Sequence, residues 1–205
     1  MGQTVVDRLD NRLDEEVLAT RGVKIPFVGP DNREGARLVG EYLASHLEPG
    51  DPVGVIEGVP TAYNAIQRKL GFEDAMKAAG MRIVASQSAR WEMAEANQVA
   101  SAMLSAHPEI EGLLCANDSM ALGAVAALRE ANKAGEILTV GYDNISAAQE
   151  LIKNGAMLAT IDQHADELAV FGIEYALDMI KKGGVPEDRQ TPVHLITAEN
   201  LQQAP

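Results

Sequence analysis

The 205 residues contain no second cysteine. Cys115 therefore cannot close an intrachain disulfide, and its place in the apolar run GLLCA marks it as a core residue rather than a reactive thiol. Basic side chains are scarce: 17 Lys and Arg stand against 30 Asp and Glu, a net charge of −13. That balance excludes an electrostatic grip on nucleic acid or on an anionic membrane surface. No stretch reaches the roughly 18 apolar residues needed to span a bilayer. The opening MGQTVVDRLDNRLDEE has neither the basic start nor the apolar centre of a secretory signal, so no signal peptide is expected in the chain as given.

The signatures of catalysis are missing too. There is no G-x-S-x-G, no H-E-x-x-H, no phosphate-binding G-x-x-x-x-G-K-[ST] and no G-x-G-x-x-G. His46, His107, His164 and His194 are scattered, without the spacing of metal ligands. Carboxylates are plentiful but fall on helix faces, where they are solvated, and no acid–base pair stands out. The expectation is binding without chemistry: not an enzyme, with no catalytic residue, no cofactor and no metal.

What is present is a regular alternation of two periodicities. From Pro30 onward, helical spacing in REGARLVGEYLASHL is followed by the β-rich run PVGVIEGV, and the same exchange repeats through TAYNAIQRKLGFEDAMKAAG, MRIVASQS, EMAEANQVASAMLSAHP and EIEGLLCA. DSMALGAVAALREANK, EILTVGYD, ISAAQELIKNG and MLATIDQ continue it. Ser146 and Gln149 match the S-x-x-Q pattern of a capping box, which predicts a helix start there. Next comes a long amphipathic helix, ADELAVFGIEYALDMIKK, stopped by Gly183-Gly184, and TPVHLITAENL reads as a short final strand. TVVDRLDN near the start also reads as a strand, although Asp7 and Arg8 fit a buried parallel strand poorly. Strands buried on both faces and alternating with helices predict an α/β fold with a doubly wound parallel sheet.

In such a sheet, ligands bind outside the carboxyl ends of the strands. Arg68 lies on the helix after the first long strand, and Trp91, the only tryptophan, follows the second. Asn117 and Asp118 follow the third strand, Asp143 the fourth and Gln163 the fifth. Each has a simpler reading. Arg68 suits a solvated helix face, Trp91 a core anchor, Asn117 and Asp118 an N-cap and turn, Asp143 a turn and Gln163 an exposed position. Together they offer an arginine, amides, a carboxylate and one flat ring along a single edge, a set suited to the hydroxyls and apolar face of a neutral polyol.

These stretches carry a family resemblance. VGPDNREGARLVGEYL, AIQRKLGFEDAM, ASQSARW, AHPEIEGLLCANDSMALGA, VGYDN and LATIDQHADELAVFGIEYALDMI resemble the ribose-type sugar branch of the type I periplasmic binding proteins, over most of residues 10–183. The resemblance implies two lobes, a monosaccharide or polyol ligand, an ABC transporter membrane permease as partner and a periplasmic location. It places Arg68, Trp91, Asn117, Asp143 and Gln163 at sugar-contacting positions, with Asp10-Asn11 matching the family's first hinge crossing.

On this basis residues 1–30 are expected to be a remnant of the amino-terminal lobe, 31–160 the carboxy-terminal sugar-binding lobe, and 161–205 the hinge return with a remaining helix and strand of the first lobe. The opening strands of that lobe are not found before Thr4, so a truncated receptor with half its ligand site is expected. The apolar face of residues 165–182, with Leu168, Phe171, Ile173 and Ile180, would then lack its usual cover. A homodimer built from residues 1–12 and 160–200 is the expected consequence. The alternative is the effector-binding domain of a sugar-responsive LacI-type transcription regulator. The acidic balance and the ATIDQ hinge favour the receptor.

Overall fold

The computed structural model describes residues 22 and 24–201. Asp10, Asn11 and the strand expected around Thr4 lie outside the described residues. The chain forms two units, which separate at Asp31–Asn32, Asp162–Gln163 and Val193–His194.

The larger unit is built on a six-stranded sheet. Its strands are β2 (Pro52–Glu57), β3 (Arg82–Ser88), β4 (Gly112–Cys115), β5 (Leu138–Val140), β6 (Ala159–Asp162) and β8 (His194–Thr197), in the order β3-β2-β4-β5-β6-β8. All neighbours are parallel except β6 and β8, which run antiparallel. The helices are α1 (Asn32–Ala44), α2 (Tyr63–Ala78), α3 (Met93–Ala106), α4 (Asp118–Glu130) and α5 (Ser146–Lys153). Strand β2 is buried along PVGVI, because neighbouring strands and helices cover both its edges and both its faces. From β2 the chain steps outward to β3 through α2, then returns through α3 to β4 and continues the other way through α4 to β5. Right-handed crossovers in opposite directions put α2 on one face and α3, α4 and α5 on the other. The sheet's switch point therefore falls between β2 and β4.

Two observations differ from the sequence reading. The last strand, grouped above with the smaller unit, pairs with β6 of the larger one, because Ala159–Asp162 still has an open edge when the chain returns. The capping box at Ser146 does not form. Ile145 is the N-cap residue and makes no side-chain cap, while the Gln149 amide donates 3.0 Å to Asn144 Oδ1.

The smaller unit pairs β1 (Val28–Pro30) in parallel with β7 (Arg189–Thr191), with α6 (Ala165–Lys182) packed on β1. The Asp188 carboxylate accepts from the Phe27 N–H at 2.7 Å, and the Arg189 guanidinium lies 3.3 Å over the Phe171 ring. Helix α6 ends at Gly183, whose φ of 70° releases the chain.

Helices α1 and α2 approach closely at Gly71, where a Cβ would lie 2.2 Å from the Arg33 carbonyl oxygen. Gly71→Ala therefore gains helix propensity but forces the two backbones apart. We expect a net loss of about 1–3 kcal/mol in urea unfolding; equal or greater stability would show that the helices part freely.

Candidate functional site

Helix α2 buries Ala65, Arg68, Phe72, Ala75 and Met76 on one stripe, so Arg68 occupies a core-facing position and is only 2% exposed. A buried guanidinium is stable only if its donors are matched. Its Nε donates to Asn32 Oδ1 at 2.8 Å, and Nη1 donates to the Ala116 carbonyl at 2.9 Å and to Asp143 Oδ1 at 3.3 Å. The guanidinium also lies 3.7 Å over the Tyr142 ring and 5.7 Å from the Trp91 ring centroid. Ala116 follows β4 directly, so this cluster sits at the switch point, on the carboxyl side of the sheet.

Trp91 reaches the cluster by an unusual backbone. Arg90 and Trp91 are both left-handed, with φ of 54° and 71°. The turn lays the indole across the end of β2, where a Cβ on Gly58 would come within 2.2 Å of the ring. Only glycine admits it there. Two consecutive left-handed non-glycine residues are costly, and such strain concentrates at functional sites.

Asn117 is the N-cap of α4; its side-chain oxygen accepts from the Met120 N–H at 2.9 Å. The neighbouring Asp118 points inward and is fully buried. Its Oδ1 accepts from the Thr160 hydroxyl at 2.6 Å and its Oδ2 from the Ile145 N–H at 2.9 Å. Gly141 leaves room for this carboxylate, since a Cβ there would meet Asp118 Oδ1 at 2.2 Å. Burial pushes the Asp118 carboxyl up to about 7; the Thr160 hydrogen bond opposes this and the Asp143 charge adds to it. Cys115 is fully buried as expected, and burial drives its thiol far above the ordinary range.

Asp143 itself has φ of 119° and Asn144 φ of 56°. Asp143 is a quarter exposed, and its N–H donates to the Ile161 carbonyl at 2.8 Å. The Asn144 side chain donates to Asp162 at 3.1 Å. Gln163 belongs to the smaller unit, where it is 9% exposed and its carbonyl accepts from the Thr191 hydroxyl at 3.1 Å.

Arg68, Trp91 and Asp143 thus meet within the larger unit, with Asn117 one residue from the carbonyl that Arg68 grips. Sequence reasoning missed Asn32 and Tyr142, which hold and cover the guanidinium, and Thr160, which anchors Asp118. A signal for Arg68 was present: it lies three residues after Ala65 and four before Phe72, in phase with the core.

A family model described as a periplasmic binding protein domain matches residues 10–184. The chain belongs to the periplasmic binding protein family. It is 56% identical over 199 residues to the D-ribose/D-allose-binding protein of Pseudomonas aeruginosa, covering 95% of this chain and 62% of that protein. It also resembles a solved ABC transporter solute binding protein from Burkholderia multivorans, with a TM-score of 0.87, 53% identity and coverage of 92% and 67% of the two chains. A second solved structure, a periplasmic solute binding protein from Actinobacillus succinogenes with bound D-allose, gives a TM-score of 0.90 at 38% identity, covering 95% and 68%. The chain spans about three-fifths of the Pseudomonas protein's length. The α/β fold of this periplasmic binding protein, with its largely parallel sheet, is the one those structures share.

The buried Asp118 makes stability depend on pH. Its carboxyl binds a proton more tightly folded than unfolded, so the native state gains from protonation. This contribution is full below about pH 4, declines as pH rises to about 7, and totals about 4 kcal/mol. Asp118→Asn should remove that downward slope when unfolding free energies are measured across the window. An unchanged slope would mean that Asp118 is ionised throughout.

Proposed function

We propose that the chain is the sugar-binding receptor component of an ABC transporter, taking a monosaccharide or related neutral polyol at the rim of the larger unit. The observation that carries this reading is the Arg68–Asp143 pair, 3.3 Å apart, beside the Trp91 indole. A donor and an acceptor at that spacing suit neighbouring sugar hydroxyls, and the ring suits the apolar face of a pyranose or furanose. Asn117 adds an amide. By the family resemblance, Gln163, Asp10 and Asn11 belong to the same ligand set, the receptor has two lobes and a periplasmic location, and a membrane permease is its partner. The P. aeruginosa D-ribose/D-allose-binding protein, at 56% identity, supports an aldose as ligand. The role is capture and delivery, with no chemical step.

The test is an NMR titration with D-ribose, D-allose and myo-inositol. We expect perturbation of the Trp91 indole N–H and of the Asn117 and Asp143 amides, with Trp91→Ala weakening the response about tenfold. No perturbation by any of the three would overturn the sugar reading.

Helix α6 supports self-association as part of the same proposal. Val170, Ile173, Leu177 and Ile180 recur along one face and are 45–79% exposed. A second copy offering the same face would bury them about a two-fold axis. Light scattering should return about twice 21.9 kDa; the single-chain mass across a concentration series would rule the dimer out.

A further inference from the structure

Asp118 stands apart from the rim residues: it is wholly buried, yet both its oxygens are engaged with the structure around Asp143. Oδ2 holds the Ile145 N–H, and Oδ1 holds Thr160, whose hydroxyl oxygen also lies 3.4 Å from the Asn144 N–H. The two attachments fall on consecutive residues, Asn144 and Ile145, directly after Asp143; Asp143 and Asn144 are both left-handed and neither is glycine. Left to itself such a turn would relax toward the commoner right-handed or extended forms. The relaxation would carry the Asp143 carboxylate away from Arg68.

We propose that Asp118 is a positioning residue which, with Thr160, locks the Asp143–Asn144 turn and so sets where Asp143 meets Arg68. Its consequence for ligand affinity rests on the reading of this rim as a sugar site. The lock works through acceptor capacity. An ionised carboxylate accepts on both oxygens with strong, charge-assisted bonds. A protonated or amidated group must turn a hydrogen toward one of two positions now filled by donors, the Thr160 hydroxyl or the Ile145 N–H. The hydroxyl can rotate; the backbone N–H cannot. Asp143 on the turn and Cys115 at the end of β4 interact electrostatically with Asp118. One contact further out lie Asp162 of β6, through Asn144, and Arg68 of α2, through Asp143.

The test reads the turn directly, in the sugar-free protein, by amide exchange and chemical shift at Asn144 and Ile145 across pH. In the wild type, both amides should titrate together with a midpoint near 7 and gain protection against local opening of the turn, with Asp118 still buried, as pH rises through it, opposite in sign to the global stability. Asp118→Asn should abolish that titration and lower Ile145 protection about tenfold, in line with a charge-assisted hydrogen bond becoming a neutral one. Thr160→Val, which keeps the carboxylate but removes its hydroxyl partner, should lower Asn144 protection and move the midpoint upward. Unchanged protection and titration in Asp118→Asn would overturn the proposal. Should that variant fail to fold, unchanged Asn144 protection in Thr160→Val would do so.

A second arm titrates D-ribose and D-allose at about pH 6 and about pH 8. Wild-type affinity should be about tenfold higher at the upper pH, while Asp118→Asn keeps the lower affinity at both. Loss of the amide titration in the variant, with no binding of either sugar to the wild type, supports the lock and overturns the sugar reading. Wild-type binding that is the same at both pH values and unchanged in Asp118→Asn overturns the lock's hold on the site.

Discussion

A positive charge buried among helices governs the larger unit. Moving a guanidinium out of water costs several kcal/mol unless the protein replaces its hydration, and here the replacement comes from four groups in three stretches of the chain. The first residue of α1, the carbonyl after β4, the turn after β5 and the Tyr142 ring all converge on Arg68. A shift of any one of them would loosen the hold on the guanidinium. The same demand that stabilises the packing therefore makes the rim rigid, which is what a binding surface needs if little ordering is to be lost on contact.

Strain gathers where that rigidity is available to hold it. Among the described residues, six non-glycine positions have positive φ, and four of them, Arg90, Trp91, Asp143 and Asn144, lie just beyond the carboxyl ends of β3 and β5. Each costs on the order of 1–3 kcal/mol and persists only because its surroundings determine it from several sides. Gly58 admits the indole, and Asp118 with Thr160 tethers the second turn. The left-handed geometry turns short loops back over the sheet edge, so that side chains from distant strands face one another.

Much of this was legible in the chain. Alternating periods marked every helix and strand of the larger unit from Asn32 to Asp162, because the helices are long and even the short strands β4, β5 and β6 sit in longer apolar runs between them. The rule that ligands lie beyond carboxyl ends points from sequence alone to Arg68, Trp91, Asn117 and Asp143. What stayed hidden depended on contacts between remote residues. Asn32 and Arg68 are 36 positions apart, and Asp118 and Thr160 are 42 apart. Nothing local distinguishes an aspartate at a helix start that faces the rim from one that turns under it. The short strands β1 and β7, of three residues each, carry too little pattern to pair by sequence. The S-x-x-Q motif failed because the clamped turn ahead of it left Ile145 at the cap.

The placement of Trp91 gives the chain a built-in optical probe. It is the only indole in the sequence, and its ring is partly exposed, wedged on Gly58 and within 5.7 Å of a fixed cation. Its emission has no competing tryptophan background, and it responds to both the water and the charge beside it. A solute arriving at the rim would displace that water while the cation stayed in place. On the proposed reading of the rim, occupancy would be followed by intrinsic fluorescence, without a label and without altering any residue that holds Arg68.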